Sequence, residues 1–217
     1  GPYVVEVTLE DGTTTKFDRW LNAFTGNYAQ YNNATVTLLS DITTDTVVKT
    51  FATVTIDFNG HTLTVNQPEN TAETAAITLL ASSSRGTAHV TLKDSSEAEN
   101  GGMNTTNVYG VTVKGSNTTL TIENGNYNCY TSVVQVEKPV SGVATAYIKG
   151  GTFKTEDTDK SYLLNCIDEA FKNGTAKMEV TGGTFHGFDP SANPEGEGTT
   201  YVKDGYVSND NGDGSYT

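Results

Sequence analysis

One phrase occurs three times in the C-terminal half of this chain, and it limits what the chain can fold into. Residues 119–127 read Thr-Leu-Thr-Ile-Glu-Asn-Gly-Asn-Tyr. Residues 145–153 read Thr-Ala-Tyr-Ile-Lys-Gly-Gly-Thr-Phe, and residues 177–185 read Lys-Met-Glu-Val-Thr-Gly-Gly-Thr-Phe. Aligned on Ile122, Ile148 and Val180, the copies lie 26 and 32 residues apart. Each is a short alternating strand followed by a glycine turn, too small to bury a core alone. Repeats of that kind become stable by stacking on one another.

Fainter copies precede these three. Residues 35–38, Thr53–Asp57 and His89–Lys93 share the alternation, with Thr between apolar residues. A second strand type falls between the copies, at 76–80, 110–114, 133–136 and 162–167. Clusters of Gly, Asn, Ser and Asp separate the two types, and these residues turn a chain without helices. Each repeat therefore carries at least two sheet faces. The period is long for a left-handed hexapeptide solenoid. It suits an all-β, right-handed parallel β-helix (a solenoid) with uneven loops. The competing arrangement is an antiparallel sandwich, which also uses short strands between turn signals. The expected organisation is an N-terminal cap over residues 3–32, solenoid rungs over 33–190 and a C-terminal cap over 191–217.

Composition agrees with strand and turn. A charged fraction of 18%, with 22 Gly and only 5 Pro, accompanies regularly spaced β-branched residues, unlike a disordered chain. No apolar run approaches the ~20 residues of a membrane span, so membrane insertion is not expected. No secretion signal is legible, and Gly1-Pro2 reads as the remnant of a cleaved tag; any export signal or wall anchor would lie outside this stretch. The net charge is −13 and the pI about 4.5, with 13 Lys and Arg that form no cluster. Nucleic acid, anionic membranes and uronate polymers are therefore poor partners.

The ends read as caps. Residues 3–9 and 13–17 flank Glu10-Asp11-Gly12 as a hairpin with Asp-Gly in its turn. Phe17, Trp20, Leu21, Phe24 and Tyr28 then follow at helical spacing, and Trp20 and Phe24 are expected to plug the first rung. At the other end, residues 201–207 and 215–217 flank an Asp- and Asn-rich loop at 209–214. It has the alternating oxygens of a calcium loop but lacks the closing bidentate acid, so a tight hairpin turn is the better reading and no metal is expected. Cys129 and Cys166 lie 37 residues apart. Cys166 sits between apolar residues and reads as a buried thiol rather than half of a disulfide.

Several segments carry a resemblance. Residues 54–63 (Val-Thr-Ile-Asp-Phe-Asn-Gly-His-Thr-Leu), the Gly-Gly-Thr-Phe repeats and the Asn-Gly-Asp-Gly-Ser-Tyr ending resemble right-handed parallel β-helix proteins of the pectate-lyase-like superfold. More narrowly, they resemble uncharacterised surface and phage-associated members from gut Firmicutes. Residues 182–190 and 201–206 are similar to the final rung and cap of that group. The resemblance runs from about Asn33 onward and rests on structural motifs. It implies the fold and an extracellular place on a bacterial surface or phage virion, and it carries no activity by itself.

Catalysis must be judged on residues. Glycoside hydrolysis needs two facing carboxylates. The Asn-Thr-Asp, Asp-Asp, Gly-His-Gly and Arg-Ile-Lys signatures of the polygalacturonase branch are missing. Neither Arg19 nor Arg85 has the acidic company of a lyase site. Asp57, with His61 four residues on, is the most tempting acid, but Asp before Asn-Gly is better suited to holding the turn. His61, His89 and His186 have no metal-ligand spacing. No catalytic residue, metal or cofactor is assigned.

Alternation assigns the outward side chains. One column reads Thr37, Thr55, Thr91, Thr121, Tyr147 and Glu179; the other reads Asp57, Lys93, Glu123, Lys149 and Thr181. Charges in the second column speak against ice binding and suggest a register-setting ladder. Tyr147 should point outward, while Tyr109, Tyr130 and Tyr162 flank strand starts near corners. These four are the candidate ligand-binding residues, because sugars stack on aromatic faces among Asn, Asp and Thr. Tyr127, Phe153 and Phe185 recur at one position and read as an internal stack. The expected function is a non-catalytic display or adhesion module for a neutral glycan or a host surface protein. The alternatives are a carbohydrate-active lyase or hydrolase, and a ligand-free spacer or fibre. Oligomeric state is not legible.

Overall fold

Inward apolar columns organise the chain. A computed structural model of the protein describes residues 1–25, 31–69, 74–156, 162–192 and 199–217. Nearly all of its regular structure is β, gathered in three main sheets. Sheet A holds eight strands in the order Thr14–Phe17, Val5–Thr8, Ala34–Leu38, Thr53–Asp57, His89–Lys93, Thr119–Ile122, Ala144–Ile148 and Ala176–Val180. Sheet B runs Ile42–Thr44, Thr62–Asn66, Gly102–Thr106, Asn126–Asn128, Thr152–Lys154, Thr184–His186 and Ser215–Tyr216. Sheet C runs Val48–Thr50, Ala75–Leu79, Tyr109–Val113, Val134–Val136 and Leu164–Cys166. From Ala34 onward the chain visits A, B and C in rotation. Successive visits to one sheet pair in parallel, up to the antiparallel strand Ser215–Tyr216 that closes sheet B.

The repeat copies pair as their alternation requires. Leu120 faces Ala146 and Ala146 faces Met178, while Ile122 faces Ile148 and Ile148 faces Val180. All six are buried. An antiparallel sandwich is thereby excluded for these strands. Upstream the expected register is corrected by two residues: Thr35, not Thr37, pairs with Thr55, and Thr37 pairs with Asp57. A two-residue slip keeps every side chain on its own face, so alternation alone cannot detect it.

Sheet B is the face that the two-strand reading did not separate. Its inward residues include Leu63, Met103, Tyr127, Phe153 and Phe185, each beside the next. The rings of Tyr127 and Phe153 stack at 5.3 Å, and those of Phe153 and Phe185 at 4.9 Å. The Tyr127 hydroxyl donates to the Asn124 carbonyl at 2.7 Å, so its one polar atom is satisfied in the core.

The glycine pair has two distinct causes. A Cβ on Gly150 would sit 2.4 Å from the Glu123 carbonyl oxygen, and on Gly182 2.3 Å from that of Lys149. The first glycine therefore lets one circuit lie against the previous one. The second takes a left-handed backbone, with φ of +113° at Gly151 and +115° at Gly183. Upstream corners use acids instead. Asp57 Oδ1 accepts from the backbone N–H of Asn59 at 2.9 Å and of Ser95 at 3.0 Å. Burial pushes the Asp94 carboxyl up, yet backbone bonds from Gly101 and Gly60 and bonds from Ser96 hold it below the usual carboxylate range.

The ends depart from expectation in detail. The hairpin forms, with Val5–Thr8 antiparallel to Thr14–Phe17 and to Ala34–Leu38. The apolar stripe becomes a 3-10 turn over Trp20–Phe24 that buries Trp20, Ala23 and Phe24, because Phe17 already ends a strand. Tyr28 lies outside the described residues. A short α-helix, Asp168–Lys172, joins sheet C to sheet A, with acids in its first turn and Gly174 after its end. Residues 201–207 do not pair with 215–217. Val202 bridges Val180, and the terminal hairpin is closed within 209–217. There Asp210 and Asp213 accept from the N–H groups of Gly212 and Ser215, as turn-forming side chains do.

Candidate functional site

On the outer face of sheet B, alternation leaves two columns of mostly polar positions. One runs Thr62, Gly102, Asn126, Thr152, with Gly102 buried against the Asn126 backbone; the other runs Thr64, Asn104, Asn128, Lys154. Four strands ~4.8 Å apart give these columns a length of about 14 Å. A groove of about 790 Å³ lies over Thr64, Asn104 and Asn128, with Thr106, Tyr130, Thr131, Glu156 and Tyr162 beside them. A second groove of about 310 Å³ lies over Thr62, Gly102, Asn126, Thr152 and Lys154. Asn104 and Asn128 line both, so the two form one trench along the sheet.

The aromatic wall is set at the corner between sheets B and C. The Tyr130 N–H donates to Thr105 Oγ1 at 3.0 Å, and Thr105 Oγ1 donates to the Val108 carbonyl at 2.6 Å. Ser132 Oγ donates to the Tyr162 carbonyl at 2.6 Å, which ties the two tyrosine-bearing corners together. Asn128 Nδ2 donates to Glu156 Oε1 at 3.2 Å. Cys129 lies under the trench, and burial pushes its thiol up to about 12. It stays protonated and is no nucleophile. Both cysteines are buried and are not joined in a disulfide.

Thr131 occupies the left-handed region, with φ of +59°. Asn107 takes the equivalent corner one circuit earlier with φ of +63°. Asn reaches that conformation easily and a β-branched residue does not. Thr131→Asn should therefore raise stability by about 1 kcal/mol, read as a higher urea midpoint at unchanged slope. An unchanged or lower midpoint would show that Thr131 is not strained.

The structure divides the four candidate tyrosines. Tyr130 and Tyr162 come together in the trench. Tyr147 is half-buried on sheet A between Thr121 and Glu179, and Tyr109 is half-buried at the start of a sheet C strand. Neither borders the trench. Asn104, Asn128 and Glu156 were not singled out from sequence; the available signal was polar residues at the outward positions of strands following the glycine turns. The expected charge ladder does not close into ion pairs: among the described residues Lys93, Glu123 and Lys149 form none, while Lys203 meets Glu179 at 3.3 Å. His61 sits 3.4 Å from Asp41, and His89 Nδ1 2.8 Å from Thr119 Oγ1. Among the described residues no three His, Cys, Asp or Glu side chains gather as a metal site, and no helix is long and apolar enough to cross a membrane.

Comparison with protein-family models, curated proteins and solved structures finds no match to this chain.

Proposed function

We propose that sheets A, B and C are the walls of a right-handed parallel β-helix, and that the chain is a non-catalytic display or adhesion module holding a neutral glycan in the sheet B trench. The rotation of the chain through three parallel sheets supports the fold, and parallel crossovers are overwhelmingly right-handed. Its place is outside the cell, on a bacterial surface or a phage particle.

The trench carries the functional reading. It offers amides and hydroxyls along its floor and two tyrosines on one wall, which is the chemistry that meets a sugar's hydroxyl edge and its C–H face. Among the described residues its lining holds one carboxylate, Glu156, whereas glycoside hydrolysis uses two. Asp57, the acid most suggestive in sequence, is occupied by two backbone N–H groups at a corner. The net charge of −13 disfavours sulfated and uronic sugars. A shallow site binds weakly, so adhesion requires many copies.

A glycan array probed with multimerised protein tests this. Neutral or amino sugars should give the signal, Tyr130→Ala should remove most of it, and Tyr147→Ala should leave it intact. Preference for heparin-like glycans, or binding indifferent to Tyr130→Ala, would overturn the assignment.

A further inference from the structure

We infer that the trench takes an extended, equatorially linked neutral hexose chain lengthwise, about one sugar residue to each strand of sheet B; this rests on the glycan reading above. The floor is periodic. Thr62 and Thr64, Asn126 and Asn128, and Thr152 and Lys154 present an outward pair at their steps, and Asn104 alone does so at the second, where Gly102 lies buried against the Asn126 backbone, all in register from strand to strand. The step is the strand spacing, ~4.8 Å. Hexoses joined through equatorial bonds form a flat ribbon that advances by nearly that distance per residue. Axial linkage curls the chain, and a curled chain leaves a straight trench after one or two units.

The polar groups fit the edge of such a ribbon. Asn126 Nδ2 donates to the Glu99 carbonyl at 2.9 Å and Asn128 Nδ2 to Glu156 at 3.2 Å. Each amide thus keeps its Oδ1 as an acceptor for a ligand hydroxyl. The Asn104 amide and the Thr62, Thr64 and Thr152 hydroxyls make no hydrogen bond with the described residues, so they meet a ligand without breaking an internal bond. Among the described residues, Lys154 and Glu156 are the charged ones of the lining, and their formal charges are opposite. That favours an uncharged chain. Tyr130 and Tyr162 stand to one side, where ring faces of the ribbon can stack.

Titration calorimetry with β-1,4-linked gluco-oligosaccharides of two to six residues, against the α-1,4-linked series, tests the inference. Affinity for the β series should rise with each residue to about four, the number of floor strands, and then level off. The α-linked tetramer should bind about tenfold more weakly or worse. Asn104→Ala should weaken the β-linked tetramer about tenfold while the circular dichroism spectrum stays native. An α series that binds equally well, or a β series without length dependence, would overturn the lengthwise inference. If such binding is still lost in Tyr130→Ala, the glycan reading survives. No binding by either series, together with a blank glycan array, would overturn both.

Discussion

Replacing Ile148 with Asp is expected to abolish cooperative folding at room temperature. Ile148 is fully buried in sheet A, between Ile122 on one side and Val180 on the other, in a column continued by Leu92 and Ile56. A carboxyl placed there finds apolar side chains along the column, and its backbone neighbours are already paired. Burying it unpartnered costs several kcal/mol, in either the charged or the protonated form. Domains of this kind are stable by only about 5–15 kcal/mol, so one such change removes most of the margin. Ile148→Val at the same position should cost only about 1 kcal/mol. Lys149→Ala, one residue on and outward, should stay within about 0.5 kcal/mol. Urea unfolding followed by circular dichroism separates the three. A midpoint for Ile148→Asp close to the parent's would mean that this column is not core.

Sheet A was legible because its strands are mostly five residues long and alternate strictly. Leu120, Ile122, Ala146, Ile148, Met178 and Val180 declare one face, and the glycine turn after them fixes the phase. The register of Ala34–Leu38 was not legible to the residue, since Thr35 and Thr37 are chemically alike and lie on the same face. Sheet B was hidden for a different reason. Asn126–Asn128, Thr152–Lys154 and Thr184–His186 are three residues each, too short to show a period. Their aromatic residues could be read as a stack but not as strand centres. The site shared that fate. Tyr130 and Tyr162 stood out as aromatics at corners, whereas Asn104 and Asn128 gain meaning only once a third sheet aligns them. Tyr147 lies on the half-buried side of its strand, between buried Ala146 and Ile148, as alternation predicts. It lies on a strand of sheet A, and neither groove reaches it, which alternation cannot foresee.

Phe153→Ala is expected to cost about 3–5 kcal/mol, the range for deleting a buried aromatic side chain. Phe153 is fully buried and stacks on both sides, against Tyr127 at 5.3 Å with 10° between ring planes and against Phe185 at 4.9 Å with 8°. Its removal loses two ring contacts at once and leaves a gap that neither neighbour can fill. Tyr127 is held by its hydroxyl bond to the Asn124 carbonyl, and Phe185 is on a strand paired to both Thr152–Lys154 and Ser215–Tyr216. Phe153→Leu keeps most of the volume and should cost about 1–1.5 kcal/mol. A loss below about 1 kcal/mol for the alanine variant would show that the stack contributes little beyond shape. The same substitution reaches the trench, because Thr152 and Lys154 are the outward neighbours of Phe153 on one three-residue strand. Without the ring beneath it that strand loses its anchor, and two of the eight floor positions lose their place. Ligand affinity in Phe153→Ala should therefore fall even under conditions where the protein remains folded, while Phe153→Leu binds as the parent does.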